Sequence, residues 1–69
     1  MQLSGQITAV SGACPAVTFV LDRQTVYTTG ATKFSKGPCK DLKAGKKVDV
    51  EGWFMSDQRV RADEVKSNK

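Results

Sequence analysis

The feature that most constrains the fold is a short run of strict alternation within residues 41–53, DLKAGKKVDVEGW. Successive strand side chains point to opposite faces, so Val48 and Val50 share one face and the charged residues beside them share the other. Gly52 ends the alternation before two aromatic residues, the second of which, Phe54, continues the face of the valines. The stretch therefore predicts a half-buried strand with Phe54 facing the core.

Two further runs predict a β-hairpin ahead of this strand. Residues 16–22, AVTFVLD, are rich in β-branched and aromatic residues, and Asp22-Arg23 predicts a tight turn into residues 24–29, QTVYTT. Either Val26 or Tyr27 can face inward, but not both. The small threonines around Val26 favour it as the core residue, which leaves Tyr27 half exposed.

The first and last predicted strands each carry an apolar residue out of phase. Residues 2–11 alternate loosely, but Val10 falls on the opposite face from the apolar residues before it, which predicts a long, coiled strand with a bulge. Val65 is out of phase in the same way within the last predicted strand, residues 60–66, and predicts a second bulge. Residues 67–69 have nothing to bury and are expected to fray.

The connection ahead of the alternating strand, residues 30–39, carries no strand pattern, and Phe34 is its only large apolar residue. One interpretation is a single helical turn over 31–36 that places Phe34 on the end of a barrel; the other is an irregular loop held by the same side chain. Five short strands, with a coiled first strand and a connection between the third and fourth, are the order of the OB-fold. The predicted fold is therefore an all-β, five-stranded Greek-key barrel; an SH3-like barrel would place its helical turn before the last strand.

The small size of the chain makes a cross-link valuable. With 69 residues it forms one domain, predicted over residues 1–66, and folding buries only about 60% of the surface of the unfolded chain. Cys14 and Cys39 both lie beside proline in turn-like sequence. A disulfide between them would close a loop of about 25 residues and contribute about 3 kcal/mol. The alternative is a pair of free thiols that act as small apolar side chains.

Motifs along nearly the whole chain carry a family resemblance: a GxITAVSG opening, the two cysteines in their CP and PC settings, and DLKxGxxVxVEG. They resemble a family of small, exported bacterial domains of unknown function with an OB-like fold. The resemblance implies a β-barrel, a Cys14–Cys39 disulfide and a periplasmic or extracellular location, and it implies no activity. One departure is Asp57-Gln58 in the last hairpin, where such domains commonly have Asp-Gly.

Residues 1–10 show neither the basic start nor the apolar run of an export signal, so the signal is expected to lie outside this chain. No segment approaches the roughly 18 apolar residues that span a bilayer, so membrane insertion is not expected. Catalysis is not expected either, because the chain has no histidine, no glycine-rich phosphate loop and no nucleophile elbow. No catalytic residue, cofactor or metal site is predicted; Asp49 and Glu51 share a face typical of solvated charges.

Function is therefore predicted from surface chemistry. The favoured prediction is a non-catalytic binding or structural module of an exported protein, with a protein, a glycan or neighbouring domains of a parent chain as partner. The alternative is single-stranded nucleic acid, because OB-folds bind it with a basic groove and aromatic platforms, and the net charge is +4. Its candidate residues are the aromatics Tyr27 and Trp53 and the cations Lys33, Lys36, Lys46, Lys47, Arg59 and Arg61. Lysines scattered over a solvated face are the simpler interpretation of the charge.

Overall fold

The computed structural model describes residues 1–68 as an all-β domain with a single 3-10 turn. The strands are β1 (Gln2–Ala13), β2 (Ala16–Leu21), β3 (Gln24–Tyr27), β4 (Lys33–Ser35), β5 (Lys47–Phe54) and β6 (Val60–Asn68), and the 3-10 turn is Cys39–Asp41. Among the described residues, no helix is long and apolar enough to cross a membrane.

The strands close into a five-stranded barrel, with β4 as an additional short strand. Strand β1 pairs with β2 through its second half and with β5 through its first half, and both pairings are antiparallel. Strands β2–β3 and β5–β6 are also antiparallel, and a parallel pairing of β3 with β6 closes the sheet. A long first strand shared between two neighbours and a parallel closure are the arrangement of the OB-fold. The predicted fold class is confirmed.

Alternate residues of the strands fill the barrel. The buried apolar side chains are Ile7, Val17, Phe19, Leu21, Val26, Leu42, Val48, Val50, Val60, Ala62 and Val65. Of the two candidates in β3, Val26 is buried and Tyr27 is half-buried on the outside, as predicted. The alternation in β5 likewise places Val48 and Val50 inside, because a closed barrel buries one face of every strand.

Both predicted bulges are present. In β1 the pairing passes from Ile7 with Leu21 to Ala9 with Val20, which leaves Thr8 as the extra residue. In β6 the partners of Glu51 and Gly52 are Glu64 and Ala62, so Asp63 is the extra residue. An extra residue shifts the alternation by one position, which is why an apolar residue beyond it returns to the core out of phase.

Gly52 lies opposite the β6 bulge, where the two backbones approach closely. A Cβ atom at this position would lie 2.1 Å from the carbonyl oxygen of Arg61 and 3.0 Å from the Cα atom of Ala62. Side-chain atoms do not tolerate such distances from backbone, so the position requires glycine. Gly52 therefore fixes the path of β5 immediately before Trp53.

Of the two interpretations of residues 30–39, the helical turn over residues 31–36 is wrong. Residues Lys33–Ser35 form β4, which pairs in parallel with residues 64–66 of β6, and the 3-10 turn lies later, at Cys39–Asp41. The hydroxyl of Thr32 donates a hydrogen bond to the carbonyl oxygen of Ala62 at 2.6 Å and helps to hold this segment against β6. Phe34 packs against the core, as both interpretations of the connection expected.

The prediction that Phe54 faces the core is also wrong, because its side chain is 54% exposed. It pairs with Val60 at the rim of the barrel. On the other side of β5 the neighbouring strand is β1. This pairing ends at Met1, whose backbone forms hydrogen bonds with the backbone of Gly52. Among the described residues no strand flanks Phe54 on that side, so the alternation of β5 continues past the point where the barrel can cover it.

At the other end of the same hairpin, β6 extends beyond the predicted domain limit of residue 66. Ser67 pairs with Val48 and is buried, and β6 ends at Asn68. The Oγ atom of Ser67 would lie 3.0 Å from a Cβ atom placed on Gly37, so the chain packs tightly there. Ser67 and Asn68 are therefore not frayed, because they continue the hydrogen-bonded pairing of β6 with β5. Lys69 lies outside the described residues.

Cys14 and Cys39 form a disulfide, with their Cα atoms 5.9 Å apart. It links the short β1–β2 loop to the 3-10 turn. The hydroxyl of Thr28 ties the same loop to the end of β3: it accepts a hydrogen bond from the backbone N–H of Val17 at 2.9 Å and donates one to the carbonyl oxygen of Pro15. This end of the barrel is therefore held by one covalent link and by the hydrogen bonds of a buried hydroxyl.

Candidate functional site

Three outward side chains form a row across the closing strands of the barrel. Arg61 of β6 pairs with Tyr27 of β3 on one side and with Trp53 of β5 on the other. Paired residues of neighbouring strands point to the same face, and adjacent strands are about 5 Å apart. The row therefore brings together both predicted aromatic platforms, with a guanidinium-bearing residue between them.

On the Tyr27 side of this row, the chain covers its own aromatic ring. The guanidinium of Arg59 lies over the ring of Tyr27, 4.5 Å from its centroid. Arg59 also pairs with Asp57: the ion-pair distance is 2.7 Å, and the Arg59 Nε–H and backbone N–H both donate to the Asp57 carboxylate. These hydrogen bonds lower the pKa of Asp57. The guanidinium of Arg59 therefore contacts both the ring of Tyr27 and the carboxylate of Asp57.

The β5–β6 loop holds Arg59 in place through its backbone. The backbone N–H of Met55 donates a hydrogen bond to the carbonyl oxygen of Arg59. The backbone N–H of Gln58 donates one to the carbonyl oxygen of Met55. Gln58 has a φ of 67°, the left-handed conformation that closes a three-residue hairpin loop of this kind. The side-chain amide of Gln24 donates to the carbonyl oxygen of Gln58 at 2.8 Å, which ties the loop to β3. The departure from Asp-Gly thus places a non-glycine residue in a position that favours glycine.

On the Trp53 side, the aromatic residue is uncovered. Its side chain is 61% exposed, and Met1, which lines the same cavity, is 54% exposed. A cavity of about 430 Å³ opens next to the ring, and its lining includes Met1, Glu51 and Gly52 and, on the neighbouring elements, Lys33, Asp63 and Glu64. We call these lining residues and Trp53 the Trp53 cavity.

The Trp53 cavity is rich in carboxylates. Glu51 and Glu64 lie directly opposite each other on β5 and β6, and the bulge residue Asp63 is next to them. Ser35 donates a hydrogen bond to Glu64 at 2.7 Å. Within residues 1–68 the one ion pair closer than 4.0 Å joins Arg59 and Asp57, so none of these three carboxylates has a cation at that distance.

The predicted cationic residues do not converge. Lys46 and Lys47 lie at the opposite end of β5, about 20 Å along the strand from Trp53 at the usual rise per residue. Lys36 lies in the turn after β4, whereas Lys33 lines the Trp53 cavity. Arg61 belongs to the aromatic row, Arg59 lies over Tyr27 at one end of it, and Lys33 lines the cavity beside Trp53 at the other end. The predicted nucleic-acid surface is thus split between separate parts of the barrel.

The sequence pattern indicates the Trp53 cavity only indirectly. Alternation predicts Glu51 on a solvated strand face and does not distinguish Asp63 and Glu64 from other exposed charges. The available signal was the out-of-phase Val65, because the bulge that it indicates brings the acidic residues of β6 beside those of β5. Among the described residues, no group of three or more histidine, cysteine or acidic side chains is arranged to hold a metal ion.

The family model described as Domain of unknown function (DUF5666) matches residues 4–66. The chain belongs to this family. No curated protein and no solved structure matches it. The match confirms the predicted relationship to a domain of unknown function, whereas bacterial origin and export remain predictions. For a DUF5666 domain, function has to be argued from the surface described above.

Proposed function

We propose that this domain is a non-catalytic binding module of an exported bacterial protein and that its ligand docks on the Trp53 cavity. The observation that carries the proposal is the combination of an aromatic ring that is 61% exposed and surrounding carboxylates that have no cation within 4.0 Å among residues 1–68. Binding sites commonly combine aromatic or apolar surface with a few polar groups that fix the orientation of the ligand. A tryptophan and several carboxylates around one cavity supply that combination.

The exported setting is supported by the disulfide between Cys14 and Cys39. Disulfides persist in oxidising compartments and are rare in the cytosol. The absence of histidine from the sequence supports the non-catalytic part of the proposal, because histidine is the commonest general acid or base near neutral pH. A protein and a glycan are both candidate partners, since tryptophan contacts peptide side chains and sugar rings through the same flat surface.

The sequence contains one tryptophan, so Trp53 fluorescence reports on this surface directly. The protein is titrated with peptides of different charge, neutral oligosaccharides and single-stranded oligonucleotides. We expect a saturable change in emission with a peptide or an oligosaccharide. The proposal is contradicted if no probe changes the emission, or if oligonucleotides alone do so.

Single-stranded nucleic acid is the second candidate, and the row of Tyr27, Arg61 and Trp53 favours it because bases stack on aromatic rings beside cationic groups. Glu51, Asp63 and Glu64 beside Trp53 oppose it, since carboxylates repel phosphates. Oligonucleotide binding that weakens steeply between low and moderate salt would support this candidate. Unchanged Trp53 emission at low salt would eliminate it.

A further inference from the structure

We propose that the ligand of the Trp53 cavity is a lysine- or arginine-bearing segment of a protein partner. This inference rests on the proposed function and specifies the chemistry of the ligand. The exposed tryptophan provides a face for a cation–π contact, and the carboxylates of Glu51, Asp63 and Glu64 provide acceptors for the same cationic group. An ammonium or guanidinium group on an aliphatic stem matches both parts of the site.

The charges that face the cavity favour a cation. Its lining has three carboxylates against the ammonium of Lys33 and the α-ammonium of Met1. The α-ammonium donates a hydrogen bond to the carbonyl oxygen of Gly52 at 2.9 Å, and Lys33 lies beside Glu64 across the β4–β6 pair. The balance is still negative, although the whole chain has a net charge of +4.

Most of the positive charge elsewhere on the protein lies away from the cavity, although Lys66 lies beside it, in a smaller pocket that Glu51 and Glu64 also line. Lys46 and Lys47 are about 20 Å from Trp53 along β5, and exposed charges are screened over about 8 Å at physiological ionic strength. Arg61 is beside Trp53, but it is not among the residues that line the cavity. A basic side chain that enters the cavity therefore meets mainly the three carboxylates.

A peptide segment fits better than a small free cation because apolar surface lies beside the carboxylates. The side chains of Trp53 and Met1, 61% and 54% exposed, line the same cavity and can contact the aliphatic stem of the basic side chain and the residues that flank it. The carboxylate of Glu64 already accepts a hydrogen bond from Ser35, which orients it before any ligand arrives.

The test is a titration of the whole protein with acetylated tetralysine amide, followed by Trp53 fluorescence and by calorimetry. The matched probes are tetraglutamate and a neutral N-acetylglucosamine tetrasaccharide. The variant is the double substitution Glu51→Gln, Glu64→Gln, which keeps side-chain size and leaves an acceptor for Ser35. Asp22→Asn, in the exposed β2–β3 turn, removes one charge far from the cavity and serves as the control.

We expect saturable binding of tetralysine that is weakened at least about fivefold by the double substitution and less than about twofold by the control. Equal binding to the double variant would overturn the inference. Binding of the tetrasaccharide or tetraglutamate without tetralysine would also overturn it, while leaving the proposed function intact. A complete lack of response to all three probes and to oligonucleotides would overturn both.

Discussion

The two aromatic residues at the ends of the Tyr27–Arg61–Trp53 row have very different surroundings. Tyr27 is half-buried, lies under the guanidinium of Arg59 and belongs to a loop network that includes Asp57. Trp53 is 61% exposed, and the carboxylates next to it have no ion-pair partner within the part of the chain that the structure describes. On the Tyr27 side the polar and aromatic groups of the chain satisfy each other, whereas on the Trp53 side they remain open to a ligand.

This difference shows that an outward aromatic residue is not enough to identify a binding platform. Arg59 shields the Tyr27 ring, so a ligand would first have to displace a cation–π contact and an ion pair. A ligand on Trp53 would meet a ring that is already 61% exposed. We therefore expect the Tyr27 side to contribute mainly to stability, and we propose the Trp53 side for binding.

The largest effect is expected from Gly52→Ala, which changes the backbone beneath Trp53. The new Cβ atom would lie 2.1 Å from the carbonyl oxygen of Arg61, and backbone cannot move away without disrupting the β5–β6 pairing. We expect the free energy of unfolding, measured by urea denaturation, to fall by at least about 4 kcal/mol.

Gly30→Ala is the matched control, because no atom lies within 4 Å of a Cβ placed there. It is expected to change the free energy of unfolding by less than about 1 kcal/mol. A Gly52→Ala protein as stable as the Gly30→Ala protein would contradict the tight packing at the bulge.

Removal of the disulfide is expected to affect the Tyr27 side of the barrel and to leave the Trp53 side unchanged. Replacement of Cys14 and Cys39 by alanine frees the loop that Thr28, next to Tyr27, holds by hydrogen bonds. The loss of this cross-link is expected to lower the free energy of unfolding by about 3 kcal/mol. Trp53 emission from the folded variant should stay unchanged; an altered spectrum would show that the disulfide also shapes the Trp53 side.

Replacing each aromatic residue by alanine in turn measures how much each side of the row contributes to stability. Tyr27→Ala removes a half-buried ring and its contact with Arg59, and is expected to lower the free energy of unfolding by about 2 kcal/mol. Trp53→Ala is expected to lower it by less than about 1 kcal/mol, because most of that ring is already exposed. Urea denaturation of the two variants measures both values, and the reverse order would contradict the division into a stabilising and a binding side.

Gln58→Gly should stabilise the loop that carries Arg59. Gln58 has a φ of 67°, which costs a residue with a Cβ atom about 1 kcal/mol, and glycine avoids that cost. Because glycine also loses more entropy on folding, the expected net gain is about 0.5 kcal/mol, measured by thermal denaturation. Gln58→Val, which is disfavoured at positive φ, should be destabilising; a stable Gln58→Val protein would show that the loop adopts another conformation.

The smallest effect concerns the pH dependence of the Tyr27 side. Hydrogen bonds from Arg59 lower the pKa of Asp57 below its ordinary value of 3.8, so the contribution of the ion pair is complete above that value and is lost as the pH falls through the lower, folded-state pKa. NMR titration of the Asp57 carboxyl carbon should give a midpoint below 3.8, and Arg59→Gln should raise it. An unchanged midpoint would mean that Arg59 does not act on this carboxylate.

Much of the barrel was predictable because it depends on local patterns. Alternation identified Val48, Val50 and Val26 as core residues, and the out-of-phase Val10 and Val65 indicated the two bulges. Phe54 was misassigned because alternation reports the face of a strand but not where the neighbouring strands end.

The strand β4 and the Trp53 cavity were not predictable for a related reason. Strand β4 has three residues, and it forms because β6 offers a free edge to a segment about 30 residues earlier in the chain. The cavity requires Glu51, Asp63 and Glu64 to meet across a bulged pair of strands, and no local pattern contains that information. Non-local pairing therefore determines the surface that we propose as the binding site.

The central claim is that ligands dock on the Trp53 side and leave the Tyr27 side undisturbed. The most direct test is a two-dimensional NMR titration of the ¹⁵N-labelled protein with acetylated tetralysine amide. We predict that the perturbed amide and indole signals belong to Lys33, Trp53, Glu64 and their neighbours, and that those of Tyr27 and Arg59 do not shift. Shifts concentrated at Tyr27 and Arg59, with the Trp53 indole signal unmoved, would contradict the account.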